Sequence, residues 1–390
     1  MLTGRQRLLR TLRREPVDRF PIDLGAHFST GISAFAYEQL RRHLGLDTNR
    51  IEIVDTMQFL ARVDDDVRDR FHIDTALLHA GWPATARWNP RGAHQFTVPA
   101  AFHAGAERLA DGSWVVRKGR QQARLPDGGF FFDGDWIGWD DLPESERFAL
   151  LAQEARRLHG RDDPGILLMG GFWGFASEHP DWLMRSAEDP ERVCADNERS
   201  LTEQLARLGR LIDTLGDLVQ VVEINSDLGS QRGPFIGPKS WCRISQPYMK
   251  RFCDFVHRNS DWKVFIHSCG SIQPLIPHLI DAGIDILNPV QITAANMDPA
   301  VLKQRYGDRL IFWGGGCATQ GVLDRGTPVE VRANVRHLAG ILGAGGGMVF
   351  NQVHNIMGDV PPENVVAMLD EAYAVAIAPA LTRAVSGLGA

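Results

Sequence analysis

The chain has 390 residues, 44% hydrophobic and 23% charged, with a net charge of −6. That is ample for a sizeable core, and mixed charge with no basic block or acidic tail argues against nucleic acid or an anionic membrane surface as partner. No run of about 18 apolar residues exists to span a bilayer, and five cysteines, an odd number with no secretion signal, point to reduced thiols in a cytoplasm.

The basic N-terminal stretch MLTGRQRLLRTLRREPVDRF lacks the apolar segment of a signal peptide, and its Leu/Arg pattern reads as a surface helix. RFPIDLG (19–25) and RFHIDTALL (70–78) are strand candidates. Residues 83 to about 140 break the pattern. HQFTV, SWVVRKGRQQA and GFFFDGDWIGW alternate or carry aromatics, with turns at Asp111-Gly112 and Asp127-Gly128-Gly129, so they read as an antiparallel β insertion on one loop. A lid, a dimer contact and a plain decoration are its alternative uses.

From about residue 165 one unit repeats. GILLMGGFWG precedes a helical region over 181–215. LVQVVEINSD (218–227) is a strand and 240–259 a helix. WKVFIHSCG is a strand, followed by a short helix ending at Gly283. IDILNPVQ is a strand, and the helix of DPAVLKQRYG is capped by Asp298. RLIFWGGGC is a strand, the helix from Thr327-Pro328 has a capping box with Glu330, GMVFNQVH is a strand, and PPENVVAMLDEAYAVA is a helix. Cys194, Cys242 and Cys253 fall inside helical patterns and read as buried bystanders. Six βα units with two more upstream predict a (β/α)₈ TIM barrel, one domain over 1–390, with an open doubly wound sheet as the alternative.

A barrel carries its site at the C-terminal ends of its strands. Gathered there are Asp23 and His27, Trp173 in GGFWGF, Glu223, Asn225 and Asp227, His267 and Cys269, Asn288 and Gln291, Cys317, and His354 with Asn355. Alternate residues on a strand face one way, so His267 and Cys269 share a direction. Zinc takes imidazole nitrogen and thiolate sulfur, and a catalytic site keeps one position open. Cys317 and His354 both offer a third ligand, and Glu223 a fourth. A buried histidine beside an inert thiol is the plainer account of the same residues.

The runs FIHSCGSIQPLIPHLIDAGIDILNPVQ, GDRLIFWGGG, TPVEVRANV and HNIMGDVPPENVVAML resemble the uroporphyrinogen decarboxylase superfamily, most strongly over about 215–375. The N-terminal RQRLLRTLRREPVDRFPIDLG is similar to the start of such chains. The resemblance implies the barrel and one of two activities. One is cofactor-free decarboxylation. The other is zinc-dependent methyl transfer between a corrinoid such as cobalamin and a thiol or other small acceptor or donor. The decarboxylases carry Arg-Gln-Ala-Gly-Arg after the first strand to grip porphyrinogen carboxylates; here PIDLGAHFSTG has no arginine.

The methyltransferases have His-x-Cys-Gly at a strand end, matched by His267 to Gly270 in HSCG. Their later cysteine ligand falls where this chain has His354, while Cys317 stands one strand earlier. The resemblance therefore implies zinc on His267 and Cys269, completed by Cys317, His354 or both. It gives Asp227 or Glu223 the thiol proton, and matches His354 to the late histidine of the decarboxylase pocket. Asp23, His27, Trp173, Asn225 and Gln291 are the substrate-binding candidates. Lacking a D-x-H-x-x-G segment, the chain would meet its corrinoid free or on a separate carrier protein, and a homodimer is a further implied association. A decarboxylase and a non-catalytic binding barrel are the alternatives.

Overall fold

The computed structural model describes residues 2–92 and 95–386. Seven parallel strands pair in chain order: β1 (Thr75–Leu77), β2 (Gly165–Leu168), β3 (Val221–Asn225), β4 (Lys263–His267), β5 (Ile286–Asn288), β6 (Ile311–Trp313) and β7 (Met348–Val349). The expected first strand, RFPIDLG, is reduced to a bridge. Ile22 pairs with Phe350 beyond β7, and its carbonyl accepts the amide of Asp74 just before β1 at 2.8 Å. That short segment takes the eighth position and joins the two edges, so the curled sheet is a TIM-like barrel rather than an open sheet.

Side-chain alternation sorts the strand residues into two layers. Val222, Ile224, Val264 and Ile266 pack outward with the helices. Leu167, Val221, Phe265, Ile286, Ile311, Trp313 and Val349 pack together inside the barrel. Leu8 and Leu12 of the N-terminal helix Gly4–Leu12 complete that inner cluster. The helix expected on the surface is therefore a plug. Its Arg7 is buried and ion-paired with Asp74 and Asp18, and Arg19 joins Asp74 as well. Desolvating these charges is costly, and their mutual pairing offsets it.

The helical regions run as expected with two breaks. Residues 181–215 divide at Asp189-Pro190 into Pro180–Glu188 and Pro190–Leu215, and 240–259 divides into Pro238–Ile244 and Gln246–Asn259. Proline supplies no amide hydrogen, so each second helix begins where one is not required. Asp298 caps Val301 at 2.9 Å, and Thr327 with Glu330 forms the capping box. Helices Ala34–His43 and Glu144–Arg161 carry weaker patterns and went unread in the sequence.

The insertion is antiparallel β. Thr85–Trp88 pairs with Phe96–Pro99, and Ala106–Arg108, Trp114–Lys118, Gln121–Leu125 and Asp133–Gly134 form a second sheet. His94, which opens the HQFTV stretch, and Ala93 lie outside the described residues. A helix, Ala100–Gly105, joins the two sheets, and Trp88, Phe96, Phe102, Phe132 and Trp139 form an aromatic core against it. Of the cysteines read as buried, Cys253 is buried, whereas Cys194 and Cys242 are half-buried. Among the described residues no helix is long and apolar enough to cross a membrane.

Candidate metal centre

Phe265 lies in the inner layer of β4, so alternation sends His267, the last residue of the strand, inward too. The parallel register sets Asn225 of β3, His267 of β4 and Asn288 of β5 in one row across the mouth. Past this row, Cys269 turns back so that its Sγ stands 3.6 Å from His267 Nε2. The ring of His354, in the segment after β7, lies with its centroid 5.8 Å from that of His267. One ligand atom each from His267, Cys269 and His354 falls within 4.8 Å of the others.

The donor set fits zinc. A tetrahedral ion with sulfur at about 2.3 Å and nitrogen at about 2.0 Å holds those two atoms about 3.5 Å apart, which is the spacing of Cys269 Sγ and His267 Nε2. His267 Nδ1 lies 2.8 Å from Asn288 Oδ1, an acceptor, so the ring proton sits on Nδ1 and Nε2 is a bare lone pair. His354 is held differently. Its Nδ1 accepts the amide hydrogen of Asn355 at 2.8 Å, which places its ring proton on Nε2. To act as a ligand it must give up that bond.

Burial governs the charge of the cluster. It pushes the His354 imidazole down to about 3, with His267 and His27 nearby adding to the effect. It lowers His267 as well, against the pull of Asp227. It raises the Cys269 thiol, and Asp227 raises it further. Without a cation the group is therefore neutral, with two uncharged imidazoles and a protonated thiol; a divalent ion reverses that preference for the sulfur.

Cys317 is not brought to this centre. Its Sγ is wholly buried in the outer core, 3.9 Å from the carbonyl of Ala318, and burial pushes the thiol up to about 12. Asp227 does belong. Its Oδ1 accepts the Cys269 amide hydrogen at 2.7 Å and stands 3.9 Å from His267 Nε2. Glu223 instead meets His27 inside the barrel, with Oε1 to Nε2 at 2.7 Å and both side chains buried. Asp23 is also enclosed. Its carboxylate accepts from Thr75 Oγ1 at 2.6 Å and Trp313 Nε1 at 2.8 Å, tying the eighth position to β1 and β6. Trp173 is 64% exposed, and its backbone bridges Asn225 while Phe172 and Phe175 pack into the core.

A cavity of about 340 Å³ opens above the cluster. Cys269, Gly270, Gln291 and His354 line it, with Ser230, Gln231, Thr293, Thr319 and Gln320 completing a neutral polar wall. Gln291 Oε1 accepts the Gly270 amide hydrogen at 2.6 Å, fixing the turn after Cys269. Asp23, His27, Trp173, Glu223, Asn225 and Asp227 do not line this space. Thr319, Gln320 and Ser29 escaped the sequence reading because they sit in loops with no periodicity, and only a strand-end position could have flagged them.

The sequence pattern described as uroporphyrinogen decarboxylase (URO-D) matches residues 178–375, just over half of the chain. The chain belongs to the URO-D family. A uroporphyrinogen decarboxylase of Alkalilimnicola ehrlichii is 25% identical over 389 residues, covering 94% of this chain and 93% of that protein. One from Psychromonas ingrahamii is 34% identical over 184 residues, covering 43% and 48%. A solved methyltransferase from Methanosarcina mazei shares the fold, with a TM-score of 0.56 over 96% of this chain and 99% of its own at 16% identity. In this URO-D member the matched segment holds His267, Cys269 and His354, while Asp23, His27 and Ser29 lie upstream of it.

Proposed function

We propose that this URO-D family member is a zinc-dependent methyltransferase moving a methyl group between a corrinoid and a small thiol or related acceptor. The observation that carries this reading is the 3.6 Å approach of Cys269 Sγ to His267 Nε2, whose proton is held on the far nitrogen. His267 and Cys269 would hold the metal, with His354 as third ligand after its bond to Asn355 opens. When bound, zinc supplies an open coordination position and lowers the pKa of a thiol placed there.

The chain's own residues supply the rest. Asp227, half-exposed beside the cluster, is the base in reach of a thiol proton. Gln291 and the Ser230–Gln231 turn present polar groups to a substrate. A cavity of this size sits at the small end of ligand sites, so the acceptor enters it while the corrinoid, free or on a carrier protein, approaches from outside. Among the described residues the lining of this cavity carries no arginine or lysine for the acidic groups of a porphyrinogen, Arg325 lining the adjoining space beyond Thr319 and Gln320.

A second reading, decarboxylation, is favoured by one observation: the Asn355 amide leaves His354 with an Nε2–H that donates into the cavity, as suits a carboxylate. Metal analysis of purified protein separates the two. Stoichiometric zinc, lost in Cys269→Ala, is expected. Zinc-free wild-type protein that releases CO₂ from a carboxylate substrate would overturn the methyltransferase reading.

A further inference from the structure

We infer that Ser29 and Asn288, backed by His27 and Glu223, are positioning residues that lock His267 in the tautomer with Nε2 bare. The inference builds on the reading of His267 as a metal ligand but concerns groups that touch neither metal nor substrate. These residues come from the eighth position, β3 and β5, and form one buried run of hydrogen bonds beneath the cluster.

The run has only one arrangement that satisfies every group. Asn288 Nδ2 lies 2.9 Å from the carbonyl of Trp313, so it donates there and Oδ1 must face the other way. Oδ1 then meets two neighbours, His267 Nδ1 at 2.8 Å and Ser29 Oγ at 2.7 Å. Oδ1 can only accept, so both neighbours donate. His27 Nδ1 meets the Ser29 amide at 3.0 Å and the Ser29 hydroxyl at 2.7 Å. The amide N–H fills its single lone pair, which frees the hydroxyl proton for Asn288. His27 therefore carries its own proton on Nε2, where the Glu223 carboxylate accepts it.

The opposite assignment fails at several links. If the Ser29 hydroxyl turned to His27, two acceptors would face each other across 2.7 Å at Asn288. Flipping the Asn288 amide to relieve that would set Oδ1 against the Trp313 carbonyl. Every member is buried, so no bulk water is at hand to repair the mismatch, and a bond left unmade there carries its full desolvation penalty. Glu223, which looks catalytic in the sequence, thus acts on His267 through three intervening side chains, His27, Ser29 and Asn288. The functional output is orientation: outer groups that fix a ligating histidine's tautomer typically change metal affinity about 10–100-fold.

The test uses the full chain with ¹⁵N-labelled histidine, metal-free, with the His267 signals assigned by their loss in His267→Gln. The wild type should show a protonated Nδ1 and a bare Nε2. Asn288→Leu should show mixed tautomers; Ser29→Ala, in which Trp313 alone still orients the Asn288 amide, should show a smaller shift in the same direction, reversed in Ser29→Thr. In the same proteins, affinity for cobalt(II), followed by its visible absorption, should fall about 10–100-fold in Asn288→Leu and by less in Ser29→Ala. Ser29→Ala leaves the Asn288–Trp313 bond intact and guards against a fold failure in Asn288→Leu. A wild type protonated on Nε2, or a tautomer unmoved in both variants, overturns the inference. A wild type that binds no metal yet shows the expected tautomers overturns the zinc reading and leaves the positioning role standing.

Discussion

Gly270 closes the HSCG sequence, and its substitution by alanine separates two costs that a glycine can hide. The residue has φ +86, in the left-handed region. An alanine there costs about 1–2 kcal/mol from its own backbone. A Cβ would also run into the Gly229 carbonyl and come within 2.7 Å of the Ser230 carbonyl oxygen. Those obstacles are backbone, pinned in turn by Ser271 N to Ser230 O at 2.7 Å and Ser230 N to Gly233 O at 2.9 Å. They cannot swing aside as a side chain would, so a further about 1–3 kcal/mol of overpacking follows.

Gly270→Ala should therefore destabilise the protein by about 2–5 kcal/mol. Two comparators isolate the contributions. Gly345 has φ +69 with open space around it, so Gly345→Ala should cost only the backbone share, about 1–2 kcal/mol. Gly340 lies exposed in the helix Pro328–Leu342 with nothing near its Cβ, and alanine there should stabilise by about 0.5–1 kcal/mol. Urea unfolding of the three variants reads the order directly. If Gly270→Ala costs no more than Gly345→Ala, the collision with Gly229 and Ser230 is not real and the tight turn beside Cys269 is misdescribed.

Two further outcomes follow from other parts of the molecule. Burial would raise the Asp285 carboxyl, but His257, the Val264 amide at 2.8 Å and Lys263 hold it below its ordinary value. A depressed carboxyl stabilises the fold above the unfolded pKa, near 4, and that contribution is lost as pH falls through the folded one. Asp285→Asn should thus flatten the acid limb of the urea midpoint between about pH 5 and pH 2, and an unchanged slope counts against the network. Cys317→Ala should leave zinc content at the wild-type level, because Sγ lies in the outer core away from His267; loss of the metal would restore Cys317 as a ligand.

The barrel was legible because burial on both faces writes itself into sequence. Val264, Phe265 and Ile266 form a continuous apolar run with alternate members in different layers, and the capping residues Asp298 and Thr327 mark helix starts. The N-terminal helix misled for a definite reason. Arg7 is charged yet buried, so a pattern of leucine and arginine resembled a surface stripe, when the arginine was answering Asp74 from 67 residues away. The eighth strand was weak for a related reason: Ile22 bonds to Asp74 while its neighbours Pro21 and Asp23 bond to Phe350, partners no local pattern reveals.

The site shows the same division between what is local and what is not. His267 and Cys269 share one strand end, so their convergence could be read from a spacing of two. The choice between Cys317 and His354 could not, because it depends on how the loops after β6 and β7 turn, and each offers a residue with the right chemistry. The carboxylates make the point most sharply. Glu223 and Asp227 are four residues apart and both belong to the same strand and its extension, yet one is enclosed with His27 while the other reaches the Cys269 amide. Sequence identifies both as acids at a barrel mouth. Only the direction of each side chain separates the acid beside Cys269 from the acid enclosed against His27. An acid at a strand end is accordingly a candidate base only when its oxygens reach the ligand cluster; Asp227, on the Cys269 amide and 3.9 Å from His267 Nε2, meets that criterion, and Glu223, enclosed with His27, does not.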